Sequence, residues 1–144
     1  DNSDDFVFCM FGIYTSSNSF SFSDKQKEKM LSFGDTALVI LDSDEFIKRV
    51  KAAAKSKGYE AHFGEVQYYN PTTDNANMMF SLLQGMWNIA FWKRDKYTYQ
   101  QERRFVFTHG NGEDHIDLDI GDISDISIVL PSKKVLSAMV EKKK

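Results

Sequence analysis

Apolar side chains recur along the chain with two spacings, and each spacing predicts one kind of element. Near-continuous apolar runs at residues 6–14 and 36–41 are typical of strands that are buried on both faces, so the first is expected to be a central strand. Apolar positions between residues 46 and 54 recur three and four apart, which predicts an amphipathic helix. Asp42 stands at capping-box spacing before this helix and Gly58 follows it, so both ends are marked.

The remaining pattern adds strands late in the chain. The predicted elements are a helix at 24–33 with Ser23 as N-cap, a strand at 59–69, a deeply packed helix at 75–90, a strand at 100–107, a hairpin turn at 109–112, strands at 115–120 and 126–130, and a short C-terminal helix. Because the helices and strands do not alternate regularly, the order favours an α+β fold, with one mixed, twisted sheet flanked by helices.

Composition narrows the class of protein. The length of 144 residues predicts a single domain over residues 1–144, and twelve phenylalanines, six tyrosines and two tryptophans supply a large core. One cysteine, Cys9, cannot form an internal disulfide, which favours a cytoplasmic location; in its apolar strand it is expected to be inert packing. No apolar run approaches the roughly 20 residues of a membrane span. An apolar strand after only five polar residues predicts that an N-terminal portion is missing.

Residues 92–107, WKRDKYTYQQERRFVF, concentrate aromatic, basic and carboxylate side chains. If residues 100–107 are extended, Gln100 and Glu102 share one face about 7 Å apart, from two rises of roughly 3.4 Å. An amide and a carboxylate are then able to reach the same ligand. The structural alternative is a surface ion pair of Glu102 with Arg104 or Lys93, which contributes little in water.

This segment resembles the Q/E-x-E signature of the Arg-Ser-Glu class of ADP-ribosyltransferases. Residues 91–107, with the FGD turn at 33–35, also resemble a poorly characterised bacterial and phage family that carries a lysine, an aromatic residue and a Glu-x-Glu-Arg-like segment. The resemblance implies NAD as cofactor, Glu102 against the nicotinamide ribose and Gln100 orienting the acceptor. Thr15, Ser16 and Ser17 follow the strand at 6–14, where that class has its serine motif, but this loop departs from the pattern of the class.

Tyr14 and Arg104 complete the cofactor-binding residues that this resemblance implies. The arginine is the main departure from the transferase class. That class takes its arginine from a strand upstream of the serines, whereas the first arginine of this chain is Arg49. The implied fold is ADP-ribosyltransferase-like, and the implied role is that of a toxin or a component of defence or counter-defence.

Two other functions stay open. The first is a non-catalytic interaction module with a groove beside residues 92–99, which would bind a protein partner or a small molecule. The second is action on nucleic acid through the basic and aromatic side chains between Trp92 and Tyr99, although the net charge of −3 disfavours it.

No metal is expected. The aspartates between residues 114 and 125 have a composition that suits magnesium, but their positions around Gly121 are typical of turns. The three histidines, His62, His109 and His115, are not at ligand spacing.

Overall fold

The structure, a computed structural model, describes residues 5–13, 19–73, 75–110 and 112–141 and contains both helices and strands, so the α+β class is confirmed. Contacts between residues divide the chain into two compact units. The first unit comprises Asp1–Phe11 and Ile47–Gly121, and the second comprises Gly12–Phe46 and Asp122–Lys144. A single domain over residues 1–144 stays a prediction.

Helices and short strands follow one another along the described parts of the chain. In order they are β1 (Phe6–Phe11), β2 (Ser19–Ser21), α1 (Asp24–Leu31), β3 (Thr36–Ile40), α2 (Ser43–Ser56), β4 (Glu60–Glu65), β5 (Gln67–Tyr69), α3 (Asn75–Gln84), a first 3₁₀ helix (Met86–Phe91), β6 (Trp92–Arg94), a second 3₁₀ helix (Asp95–Gln100), β7 (Glu102–Thr108), β8 (Ser127–Pro131), α4 (Ser132–Leu136) and β9 (Met139–Glu141). The described strands form four small sheets instead of the one mixed sheet predicted.

The core of the first unit lies on β7. This strand runs between β1 and β4 and is antiparallel to both. Phe105 and Val106 have no exposed surface, and the Phe105 ring packs 4.6 Å from that of Phe63 on β4, measured between ring centres. Because successive strand residues point to opposite faces, Glu102 and Arg104 lie on the face opposite Phe105.

Strand β1 differs from its prediction as a central strand. It pairs with β7 alone within the described ranges, and the side chains of Val7 and Phe8 are 46% and 51% exposed. An apolar run indicates burial but does not say which neighbours supply it. One edge of β1 carries no partner strand among the described residues, so its apolar side chains are only half covered.

Gly85 divides the helix predicted over residues 75–90 into α3 and the first 3₁₀ helix. Its φ of +153° suits glycine, and a Cβ there would stand 2.9 Å from the Trp87 indole nitrogen. The expected deep packing of α3 is wrong, because Met79, Phe80 and Leu83 are all more than half exposed.

The first 3₁₀ helix packs on the three-stranded sheet at Gly64. A Cβ on Gly64 would lie 3.2 Å from the Phe91 ring, so the ring occupies the space that a larger residue would fill. Trp87 of the same helix stacks on His62 of β4, with ring centres 3.9 Å apart. These contacts place the carbonyl of Ala90 beside β7.

The strand predicted over residues 59–69 is broken at Val66. Val66 is buried and donates its N–H to the Glu102 carbonyl at 2.9 Å, which ends β4 and turns the chain. The residues that follow form β5, which pairs in parallel with β6 and sets Tyr68 opposite Lys93. This parallel pair brings Tyr68 next to the start of β7.

The hairpin at 109–112 and the strand at 115–120 are not found in the described residues. Both edges of β7 are occupied by β1 and β4, so the segment after β7 cannot pair back onto it. The side chains of this segment still alternate in exposure, as they would in a strand. Ile116 and Leu118 are half-buried and Asp117 is exposed. The alternating sequence therefore matches which side chains are covered, but the strand that it predicts at 115–120 does not form.

The second unit contains two two-stranded antiparallel sheets, β2 with β9 and β3 with β8. Ser23 caps α1 as predicted, because its hydroxyl accepts from the Gln26 N–H and the Gln26 side chain accepts from the Ser23 N–H. At the start of α2, Asp42 Oδ1 accepts the N–H of Glu45 at 3.0 Å. No helix within the described ranges is both long and apolar enough to cross a membrane.

Candidate functional site

Four polar side chains meet at the start of β7 and are called the Glu102 cluster: Lys93, Gln100, Glu102 and Arg104. The Lys93 ammonium donates to Glu102 Oε1 and to Gln100 Oε1. Arg104 Nε donates to Glu102 Oε2 at 2.8 Å. Each oxygen of the Glu102 carboxylate therefore has its own cation, and the lysine joins the amide to the carboxylate.

Gln100 reaches this cluster by a route that differs from the prediction. It is the last residue of the second 3₁₀ helix, and Gln101 adopts a left-handed φ of 41° before β7 begins at Glu102. Gln100 and Glu102 are thus not neighbours on one strand face, and that geometric prediction is wrong. They lie close together because the turn at Gln101 brings both to the Lys93 ammonium.

The backbone around the cluster is fixed by two further contacts. The N–H of Glu102 donates to the Tyr68 hydroxyl at 2.9 Å, which ties the start of β7 to β5. Arg104 Nη1 donates to the carbonyl of Ala90 in the first 3₁₀ helix. Arg104 therefore links this helix to Glu102, so its position suits an orienting role toward the carboxylate.

The electrostatics of the cluster favour an ionised Glu102. The Lys93, Glu102 and Arg104 side chains are 24%, 10% and 13% exposed. Burial alone would raise the pKa of the Glu102 carboxyl, but hydrogen bonds from Lys93 and Arg104, together with their charges, outweigh burial and lower the pKa below its usual value. Such a group is suited to stabilising positive charge and unsuited to donating a proton at neutral pH.

Acid is expected to remove the stabilisation that Glu102 provides. Because its pKa is lowered in the folded state, the contribution is complete above the pKa of the unfolded chain and is lost as the pH falls through the folded value. The difference in unfolding free energy between wild type and Glu102→Gln should shrink as the pH falls from neutral to below about 4.3, the ordinary pKa of a glutamate. Urea denaturation of both proteins across this range measures it, and a constant difference would contradict it.

Cys9 borders the cluster from β1, where it stands opposite Arg104 in the strand register. It is exposed, so the expectation that it packs inside the core is wrong. Partial burial raises the pKa of its thiol; the Arg104 charge opposes this, and the Glu102 charge adds to it. The thiol is therefore protonated at neutral pH and is a poor nucleophile.

Aromatic side chains of the second 3₁₀ helix and of β6 surround the cluster. The ammonium groups of Lys93 and Lys96 lie 4.7 and 4.9 Å from the centre of the Tyr97 ring. Gln100 Nε2 donates to the Tyr99 hydroxyl at 3.2 Å. Trp92 is half-buried and meets Tyr69 edge to face.

Tyr14, Ser16 and Ser17 lie outside the described residues, so their approach to Glu102 stays a prediction. In the part of the chain that the structure describes, no three His, Cys, Asp or Glu side chains are arranged to hold a metal ion.

From the sequence, Lys93 is expected in a surface ion pair or in the basic, aromatic patch at 92–99, not at the centre of the Glu102 cluster. Its central position depends on the parallel pairing of β5 with β6, which no local pattern encodes. The bacterial and phage family that this segment resembles also has a lysine before its aromatic and acidic residues. That lysine was a signal for Lys93, but the resemblance assigned it no role.

Comparison with family models, with curated proteins and with solved structures gives no match to this chain. A function must therefore be inferred from the chemistry of the Glu102 cluster.

Proposed function

We propose that the Glu102 cluster is the site of an NAD-dependent ADP-ribosyltransferase-like activity. One observation carries the proposal: a carboxylate that is only 10% exposed is kept ionised between two cations. Taking three charges largely out of water is unfavourable unless they are well paired, and such groups are common at functional sites. The resemblance of residues 91–107 to a bacterial and phage family is consistent with a toxin or defence component.

In this proposal the bond between nicotinamide and the ribose C1 breaks, and the bonding electron pair leaves with nicotinamide. Positive charge then develops on the ribose, and Glu102 stabilises it because a fixed carboxylate acts strongly in a water-poor site. The acceptor forms a new bond to C1 and releases a proton. Gln100 orients the acceptor, and Arg104, held by the Ala90 carbonyl, orients Glu102.

The proposal predicts that Glu102→Gln abolishes turnover while NAD binding persists. The substitution keeps the shape of the side chain and removes its charge, so release of nicotinamide should fall by about a hundredfold or more. Binding is measured by isothermal titration calorimetry and release by chromatography. Glu65→Gln is the matched control, because Glu65 pairs with Arg103 at 2.9 Å on the same sheet but is 51% exposed. Failure of the wild type to bind NAD would contradict the proposal.

A non-catalytic interaction module is the second candidate, and one observation favours it. Helix α3 exposes Met79, Phe80 and Leu83, of which Leu83 is 84% exposed. Exposed apolar side chains grouped on one helix are typical of surfaces that bind proteins. This candidate predicts that the wild type neither binds NAD nor releases nicotinamide from it, so the calorimetric and chromatographic measurements separate the two functions.

A further inference from the structure

Two lysines meet at one aromatic ring beside the Glu102 cluster. The ammonium groups of Lys93 and Lys96 both lie within 5 Å of the centre of the Tyr97 ring. Lys96 is exposed, whereas Lys93 is largely covered and also contacts Glu102. The ring thus connects a cation at the surface with a cation inside the site.

The charge around this ring differs in sign from that of the chain. Residues 92–104 contain five of the 18 basic side chains and two of the 21 acidic ones, whereas the whole chain carries a net charge of −3. Within the Glu102 cluster, two cations face one carboxylate, which leaves an excess of one positive charge. A local positive excess in an acidic protein favours an anionic ligand at this position.

Of the two cations that hold Glu102, Lys93 is the more exposed, and its ammonium lies over the Tyr97 ring. Arg104 is anchored at its other end by the Ala90 carbonyl and is 13% exposed. Lys93 is 24% exposed, and its ammonium is carried on a flexible four-carbon stem. An anion that binds beside Tyr97 would therefore attract Lys93 and not Arg104. If the Lys93 ammonium turns toward that anion, Oε1 of Glu102 loses its cation and can face a positively charged group of the same ligand.

We propose that Lys93 and Lys96 form a phosphate-binding site at the Tyr97 ring, and that the ligand is a nucleoside diphosphate or a conjugate of one. Two ammonium groups around a single ring are better suited to the two linked phosphates of a diphosphate than to an anion with one isolated charge. The inference rests on the proposed function in placing a cationic part of the ligand against Glu102. It adds Lys93 and Lys96 as binding residues and makes anion binding the event that frees the carboxylate.

Calorimetric titration with inorganic pyrophosphate, ADP and NAD tests this site in the wild type, Lys96→Met and Lys51→Met. Lys96 is exposed, so its replacement should leave the fold intact, and circular dichroism checks this. Lys51 is a matched control, an exposed lysine on α2. We expect all three ligands to bind the wild type, ADP more tightly than pyrophosphate. Lys96→Met should weaken each by about tenfold, as for loss of one charge-assisted hydrogen bond, and Lys51→Met should change none.

Three results would overturn the inference: no binding of pyrophosphate or ADP to the wild type, an affinity for pyrophosphate equal to or higher than that for ADP, or equal weakening in both lysine variants. Its failure is distinct from failure of the proposed function. If Lys96→Met releases nicotinamide at the wild-type rate and binds NAD with wild-type affinity, the phosphate site is contradicted and the proposed transferase function is not. Binding of ADP that depends on Lys96, without nicotinamide release, supports the site and contradicts the transferase.

Discussion

Replacement of Glu102 by alanine is expected to lower the free energy of unfolding by about 3 kcal/mol, as for a buried ion pair that loses one partner. The substitution leaves the Lys93 and Arg104 cations facing each other without their shared carboxylate, at 24% and 13% exposure. Their mutual repulsion and their incomplete hydration both favour the unfolded chain. Urea denaturation at pH 7 measures the change.

Glu65→Ala is the control for this prediction. It removes the carboxylate that pairs with Arg103. The Glu65 and Arg103 side chains are 51% and 32% exposed, so the substitution should lower the free energy of unfolding by about 0.5 kcal/mol, as for a surface ion pair. Adding Lys93→Met to Glu102→Ala should recover part of the lost stability, because it removes one of the two unpaired cations. Similar losses in Glu65→Ala and Glu102→Ala, or no recovery in the double variant, would show that the cluster does not act as a buried ion pair.

The two-residue repeat of side-chain direction along a strand predicted part of this site. The alternation of residues 102–107 separates Glu102 and Arg104 from Phe105 and Phe107, and β7 has this arrangement. Sequence reasoning also grouped Gln100 with Glu102, but for a wrong reason. The left-handed turn at Gln101 interrupts the strand, and contact is made through Lys93 instead.

Signals that act over a few residues were the most reliable for the fold. The caps at Ser23 and Asp42 and the stop at Gly58 depend only on nearby backbone groups, and each lies where the sequence predicted it. Strand pairing depends on residues far apart in the chain. Two predictions, a central β1 and a hairpin after β7, failed for the same reason. The central strand is β7 itself, and it already has two partners, β1 and β4.

That central position makes Phe105 the residue whose truncation should harm the first unit most. Its side chain has no exposed surface and packs against Phe63 and Phe107. Phe105→Ala should lower the free energy of unfolding by about 4 kcal/mol, since it removes buried apolar surface and leaves a cavity. Urea denaturation monitored by tryptophan fluorescence measures the loss.

Phe8→Ala is the matched control, because Phe8 is the residue opposite Phe105 in the β1–β7 register. Phe8 is 51% exposed, so its truncation removes far less buried surface and should cost about 1 kcal/mol. The contrast tests the assignment of β7 as the centre and β1 as the edge of the sheet. If Phe8→Ala were as damaging as Phe105→Ala, β1 would have to be covered on both faces, as its apolar sequence predicts for a central strand.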